Sequence, residues 1–437
     1  MKRNINNKLL QWGSSTTRKP LILKGARQTG KTYSLLAFGS NNFSNCHHLD
    51  FQQNKELGSV FEKSLNPTVL IEGIEFFLDQ SIDVKNDLLI FDEIQECPRA
   101  LTSLKYFCEQ MPGLAICCAG SLLGVTHSNS PFPVGKVDFL DLHPMSFSEF
   151  LVAINETRSA DTIMNANRDS HFSDLVHQTL MKLLREYFVV GGMPEIVDLY
   201  RRQRQNKMHA FELVRTRQRF LLDAYTQDFA KYSDSVPTDR IMSIWNAIPA
   251  QLAKTYKKFV ASKVIPKGRY SNLQSAIDWL QGAGLIILVP ATNSGELPFS
   301  AFTKENNFKL YFFDTGLLGA LADLSPGTIY MQNDPFVTFR GAFCENYVAQ
   351  EFVVAGTRKL FSWKSNTSEL EFLREVDGSI LPIEVKAGKS GKLKSLNVFA
   401  SKYKCPYRTR ISARNLELNT ESQMHSYPLY LASRFPL

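Results

Sequence analysis

Apolar residues in the first third of the chain come in short unbroken runs, the pattern of strands covered on both faces. Leu21 to Leu23 in PLILKG form the first, followed by the glycine-bounded GARQTG and by KTYSLLAFG, in which Leu35, Leu36 and Phe38 fall at helical spacing. Leu88 to Phe91 in DLLIFDEIQECP form a second run, with Asp92 and Glu93 at its carboxyl end. The third, LAICCAGS, ends at Gly120 and Ser121 and is expected beside the acidic strand, with Cys117 and Cys118 as small buried strand residues. After Phe150 helix formers at helical spacing take over. From about Ser235 the order becomes helix, turn, second helix and a strand ending at Pro290, and the remainder alternates strands and helices.

Four domains follow from these changes of pattern: 1–150 around the first strands, a helical lid over 151–234, a winged helix-turn-helix over 235–295, and an α/β domain over 296–437. A chain of 437 residues is long enough for several cores. Its 44% hydrophobic and 21% charged residues, with 31 Phe, are those of folded domains and exclude a disordered tail. No apolar run reaches the roughly 18 residues of a membrane span, and MKRNINNKLLQWGSS lacks the apolar centre of a secretory signal, so a cytoplasmic location without membrane contact is expected. The seven cysteines lack paired spacing and read as reduced thiols. Cys46, His47 and His48 could suggest a metal, but strand neighbours point to opposite faces. A net charge of +8 is compatible with an anionic partner without requiring one.

The strand, glycine-rich loop and helix around Gly25 to Thr32 form the setting that cradles a nucleoside triphosphate. Gly25 and Gly30 let the backbone approach phosphates, so that the amides of Ala26, Arg27, Gln28 and Thr29 and the following helix start can face their oxygens. Lys31 would pair with the terminal phosphates of ATP, and the Thr32 hydroxyl would ligate Mg²⁺. Asp92 would hold Mg²⁺ through water, and Glu93 would polarise the attacking water. Ser121 has two readings, a contact to the terminal phosphate or water, and a plain exit from the strand.

Outside that site, the run YRRQRQNK from Tyr200 could touch phosphates or form a solvated helix face. Arg215, Arg217 and Arg219 are candidates for a charge-stabilising arginine offered to a neighbouring subunit of a homo-oligomer. Lys254, Lys257, Lys258, Lys263, Lys267 and Arg269 place positive charge beside the expected winged helix, which would serve either DNA backbone binding or packing. In SELEFLREVDGSILPIEVKAG, a hairpin would bring Glu384 and Lys386 across from Glu371, and Glu345 could add a third carboxylate from a helix. Such a set can bind a divalent metal for phosphodiester cleavage; a bare E-x-K also marks ordinary cross-strand ion pairs.

Taken in order, KGARQTGKT, LLIFDEIQECP, CCAGSLL, DFLDLHPMSFSEFL, GGMPEIV, LYFFDTGLLGAL, GAFCENYVAQEF and LPIEVKAG resemble the AAA+-type P-loop ATPases of bacteria and archaea that carry a long C-terminal domain of unknown function. The resemblance spans nearly the whole chain. It implies a parallel-sheet P-loop core closed by the PMSFSEFL segment and a helical lid, ATP and Mg²⁺ as cofactors, and a terminal domain similar to the PD-(D/E)xK restriction-endonuclease-like fold. Two positions depart from the family. Lys136 follows Gly135 where an arginine is usual, and lysine lacks the planar fork of a guanidinium. Glu371 stands where an aspartate is usual. Three functions stay open: a DNA-associated ATPase, with or without DNA cleavage, an ATP-operated switch acting on a protein partner, and a structural nucleotide binder.

Overall fold

The computed structural model describes residues 1–120, 132–232, 236–254, 258–266, 268–331, 337–366 and 368–437. They form two compact units, one of residues 1–143 with 282–284 and one of residues 144–281 with 285–437.

In the first unit, strands β1 (Leu21–Lys24), β2 (Cys46–Asp50), β3 (Leu88–Asp92), β4 (Ala115–Gly120) and β5 (Asp138–Asp141) make one sheet in the order β2-β3-β4-β1-β5. Every neighbouring pair is parallel. All five residues of β3 and all six of β4 are buried, which explains their unbroken apolar runs. Alternate residues serve separate cores. Leu89, Phe91, Ile116 and Cys118 face Phe51, Phe61 and Phe107 on one side. Leu88, Ile90, Cys117 and Ala119 face Leu35, Phe38 and Trp12 on the other. The rings of Phe51, Phe61 and Phe91 meet edge to face at 5.6 to 5.8 Å, the arrangement their quadrupoles favour. Because all five strands run the same way, their carboxyl ends gather Gly25, Asp92 and Gly120 at one edge.

The second unit begins with a helix over Phe147–Ala153, set by a capping box in which Ser146 accepts the Glu149 amide and Glu149 accepts the Ser146 amide. Helices Thr157–Met164, Asp174–Val190, Pro194–Gln203 and Lys207–Tyr232 follow, as the helical spacing expects. A boundary at 150/151 falls inside the first of these helices; the compact units divide at 143/144.

Helix Thr238–Leu252, single turns at Ala261–Lys263 and Tyr270–Asn272, and helix Gln274–Gly282 lead into strands β6 (Ile286–Thr292) and β7 (Thr303–Phe312). These two strands are antiparallel, so a boundary at 295/296 cuts the connection of a hairpin. β6 runs two residues beyond Pro290 and also pairs in parallel with β8 (Phe361–Lys364). The hairpin thereby joins β9 (Glu369–Val376), β10 (Ser379–Val385), β11 (Arg408–Ser412), β12 (Glu417–Asn419) and β13 (Met424–Pro428) in one sheet, ordered β12-β13-β11-β10-β9-β8-β6-β7. From Val337 the chain runs helix (Val337–Val354), β8, β9, β10, helix (Lys394–Lys402) and β11. β8, β9 and β10 are successively antiparallel, and β10 and β11 are parallel.

Candidate nucleotide site and carboxylate cluster

The loop after β1 is shaped by close backbone packing. At Gly25, φ is +152° and a Cβ would stand 2.1 Å from the Leu142 carbonyl oxygen, so a side chain has neither the dihedral nor the room. Gln28 and Gly30 also take positive φ, 59° and 91°. Thr29 is buried and its hydroxyl donates to Ala26 O at 2.9 Å. Arg3 binds the loop from outside, donating to Thr29 O at 3.0 Å and to His143 O at 2.7 Å.

Lys31 opens helix Lys31–Asn42 and is only 8% exposed. Its Nζ donates to Gly25 O at 3.0 Å and Ala26 O at 2.9 Å. Burial lowers the ammonium from 10.5 to about 8, against the opposing pull of Glu93 and Asp92. At the end of β3, Asp92 Oδ1 accepts the Glu93 amide at 3.0 Å and Oδ2 accepts His48 Nε2 at 3.1 Å, while the Thr32 hydroxyl also bonds the carboxylate. Burial pushes Asp92 up, but those hydrogen bonds outweigh it and hold the carboxyl below its ordinary range. Glu93 has φ 49°, a left-handed backbone uncommon for glutamate. Its Oε2 accepts the side-chain Nε2–H of Gln95.

Seven of the expected residues, Gly25 to Lys31, thus form one loop and helix start. Thr32, Asp92 and Glu93 meet at the carboxyl ends of β1 and β3. A buried ammonium, a hydroxyl, an acidic pair and a glycine with no space for Cβ are the donor set that a polyphosphate and a hard divalent cation require. Ser121 lies outside the described residues. His47 bonds Asp87 at 3.0 Å whereas His48 turns to Asp92, so the strand pleat separates the pair and a joint Cys46, His47 and His48 metal site is not formed.

Several basic residues spend their charge inside the chain. In the run from Tyr200, Arg201 and Arg202 pair with Asp198, and Arg204 and Lys207 with the buried Glu186, so this run is an ion-paired helix face. Arg215 is buried, donates to Gly316 O at 3.3 Å and is lowered by burial to about 10, so it is not presented to another subunit. Arg217 pairs with Glu195, and Arg219 with Asp323 at 2.6 Å. Lys136 pairs with Glu109 at 2.8 Å on the surface. Lys257 and Lys267 lie outside the described residues. Helix Gln274–Gly282 exposes Gln274, Ser275, Asp278 and Gln281 and contains no lysine or arginine.

The second unit gathers Glu345, Glu371, Glu384 and Lys386 into one electrostatic cluster. In the β9–β10 ladder Ile383 faces Phe372, which carries Glu384 to Glu371 in the next pair. Lys386 binds Glu384 Oε1 at 2.6 Å; Glu384 Oε2 is buried without a hydrogen-bond partner among the described residues. Glu371 accepts the Val385 amide at 3.0 Å and is pushed up to about 7 by burial and by Glu345, against Lys309 and Lys386. Burial opposes the Lys386 ammonium, but Glu371 and Glu384 hold it above its ordinary value. Tyr311 donates to Glu345 at 3.2 Å. Among the described residues no three His, Cys, Asp or Glu side chains approach closely enough to hold a metal ion as they stand.

Three contributors escape a sequence reading: Arg3, His48 and Lys309. Lys309 lies fully buried on β7, bound to Glu369 at 2.6 Å and facing Glu345 and Glu371. A charge inside the apolar run FKLYFF was its available signal.

Residues 17–151 match the AAA domain family, 181–328 a domain of unknown function (DUF8612), and 340–430 another (DUF4143). No curated protein matches the chain. Solved structures similar to it include the Aeropyrum pernix ORC1 protein in complex with DNA, at 12% identity over 77% of this chain and 94% of that one, TM-score 0.30. Drosophila ORC bound to DNA shares 16% over 75% and 94%, TM-score 0.30. The Thermotoga maritima RuvB Holliday junction branch migration motor shares 15% over 65% and 89%, TM-score 0.30. No described helix is long and apolar enough to cross a membrane. Residues 17–151, which include the Gly25–Thr32 loop and the Asp92–Glu93 pair, are thus similar to the AAA domain family.

Proposed function

We propose that the chain is an Mg²⁺-dependent ATPase associated with DNA, in which residues 25–32 bind ATP and Glu93 activates the water. The observation that carries this reading is the Thr32–Asp92 hydrogen bond, which joins the helix start behind β1 to the acidic end of β3. Lys31 and the amides of residues 26–32 would hold the terminal phosphates in place of the loop carbonyls that Lys31 now contacts. Thr32 would hold Mg²⁺ directly and Asp92 through water, and the ion would supply charge neutralisation at the phosphates. Glu93 takes the proton of the attacking water, its position set by the left-handed turn at the strand end.

Two arrangements support the DNA association. Among the described residues of 238–312, the succession of helix, turns, helix and antiparallel hairpin supports the reading of a winged helix-turn-helix. Since helix Gln274–Gly282 lacks basic residues, phosphate contacts would come from Lys258, Lys263 and Arg269 in the turns before it. The helix, three strands, helix and strand over 337–412, with Glu345, Glu371, Glu384 and Lys386 together, suit a PD-(D/E)xK-like domain. An alternative, an ATP-driven switch on a protein partner with an inactive nuclease-like domain, is favoured by the Lys386–Glu384 pair, which occupies both groups with each other.

Phosphate release measured with and without duplex DNA separates these readings. Stimulation by DNA that fades as salt rises supports the first. ATP turnover indifferent to DNA supports the switch, and no turnover under any condition contradicts both.

A further inference from the structure

Asp92 is held at both oxygens by different elements. The amide of Glu93 takes Oδ1, and the imidazole of His48 takes Oδ2 at 3.1 Å from β2. In the parallel ladder His48 stands opposite Ile90 and Asp50 opposite Asp92, so the ring leans along the strand toward the carboxylate. Its neighbour His47 points to the other face and is occupied with Asp87, so the pleat leaves His48 alone on this side. A carboxylate is an acceptor only; the imidazole must therefore present Nε2–H to it. The Asp92 side chain is 6% exposed and that of His48 32%, which puts the ring between a buried carboxylate and solvent.

The terminal torsion of an aspartate is broad and two-fold, so an unrestrained Asp92 would sample several orientations at its strand end. The Glu93 amide and His48 on different oxygens, together with the Thr32 hydroxyl, fix the plane. We infer that His48 is a positioning residue for Asp92, holding Oδ2 so that the carboxylate meets the hydration shell of Mg²⁺ in one orientation. This inference rests on Asp92 being the Mg²⁺-holding carboxylate of the ATP site. His48 touches neither phosphate nor water nucleophile in this role; it acts through the geometry of Asp92, as outer partners of metal-binding groups commonly do.

The role divides nucleotide binding into a part that His48 affects and a part that it does not. Loop amides and Lys31 grip phosphate whether or not Mg²⁺ is present. The contribution through Asp92 exists only with the ion. The test is titration of full-length protein with N-methylanthraniloyl-ATP, in Mg²⁺ and in EDTA, for the parent, His48→Ala and His48→Gln. The Ala variant loses about 10-fold in affinity in Mg²⁺ and keeps its affinity in EDTA. The Gln variant, whose amide nitrogen reaches as far as Nε2, recovers most of the loss. Equal weakening in both media shows a structural role and overturns the inference, as does an unchanged affinity in Mg²⁺ or a Gln variant no better than Ala. A parent that binds equally well in Mg²⁺ and EDTA overturns instead the assignment of Asp92, and the inference with it.

Discussion

Replacing Lys31 with Met is expected to make the nucleotide-free protein more stable while removing its hold on ATP. Lys31 is 8% exposed and burial takes its ammonium from 10.5 to about 8. That fall corresponds to ~3 kcal/mol in favour of the neutral amine. The two hydrogen bonds to Gly25 O and Ala26 O, lost in the variant, return ~1 kcal/mol each. The balance is ~1 kcal/mol of stabilisation at pH 7, or about 2–4 °C in the melting temperature for a unit of this size. The pH dependence has a definite sign. Between about 8 and 10.5 the unfolded chain binds the lysine proton and the folded chain does not, so parental stability rises with pH across that window, and the rise is missing from Lys31→Met. Thermal melts of parent and variant from pH 7 to 10, each with and without MgATP, measure all of this. The parent gains ~2.7 kcal/mol at 100 times its dissociation constant, whereas the variant gains nothing. A nucleotide-free variant that melts below the parent at pH 7 would refute the reasoning, because Lys31 would then be a structural cation.

Other outcomes follow from the same geometry. Glu93→Gln is expected to lower turnover about 100- to 10,000-fold while nucleotide binding persists; phosphate release beside a binding titration tests it, and equal turnover would leave the acidic pair a structural turn. Glu371, raised from 4.5 to about 7, holds its proton in the folded chain longer than in the unfolded one. Its contribution is therefore complete below pH 4.5 and lost as pH rises toward 7, a loss that Glu371→Gln removes, seen as a flatter profile of urea midpoints. Lys309→Met strands buried carboxylates and costs ~3–5 kcal/mol. Adding Glu369→Leu recovers much of that in equilibrium unfolding, unless Lys309 serves only as packing.

The phosphate loop and acidic strand end were legible because each is local: a few consecutive residues contain both the strand and the chemistry. The hairpin of Glu371 and Glu384 was legible for a related reason, since the two-residue period and a DG turn set the register without distant information. Lys309 was not, because what makes a buried lysine tolerable is Glu369, on a strand 60 positions along that becomes a neighbour only in the assembled sheet. The same applies to Arg3, whose acceptors lie on two separate loops. His48 sat in view within a triplet that suggested metal, and only the parallel pairing of β2 with β3 assigns it to Asp92. The expected boundary at 295/296 falls in the connection between β6 and β7, because β6 pairs with β7 in a hairpin and with β8 across the sheet.

Calorimetric titration of ATP into the full chain in Mg²⁺, for the parent and for Lys31→Ala, tests the ATP site most directly. A single saturable site is expected in the parent and no detectable heat of binding in the variant. Absence of binding in the parent, or equal binding by both proteins, would contradict it.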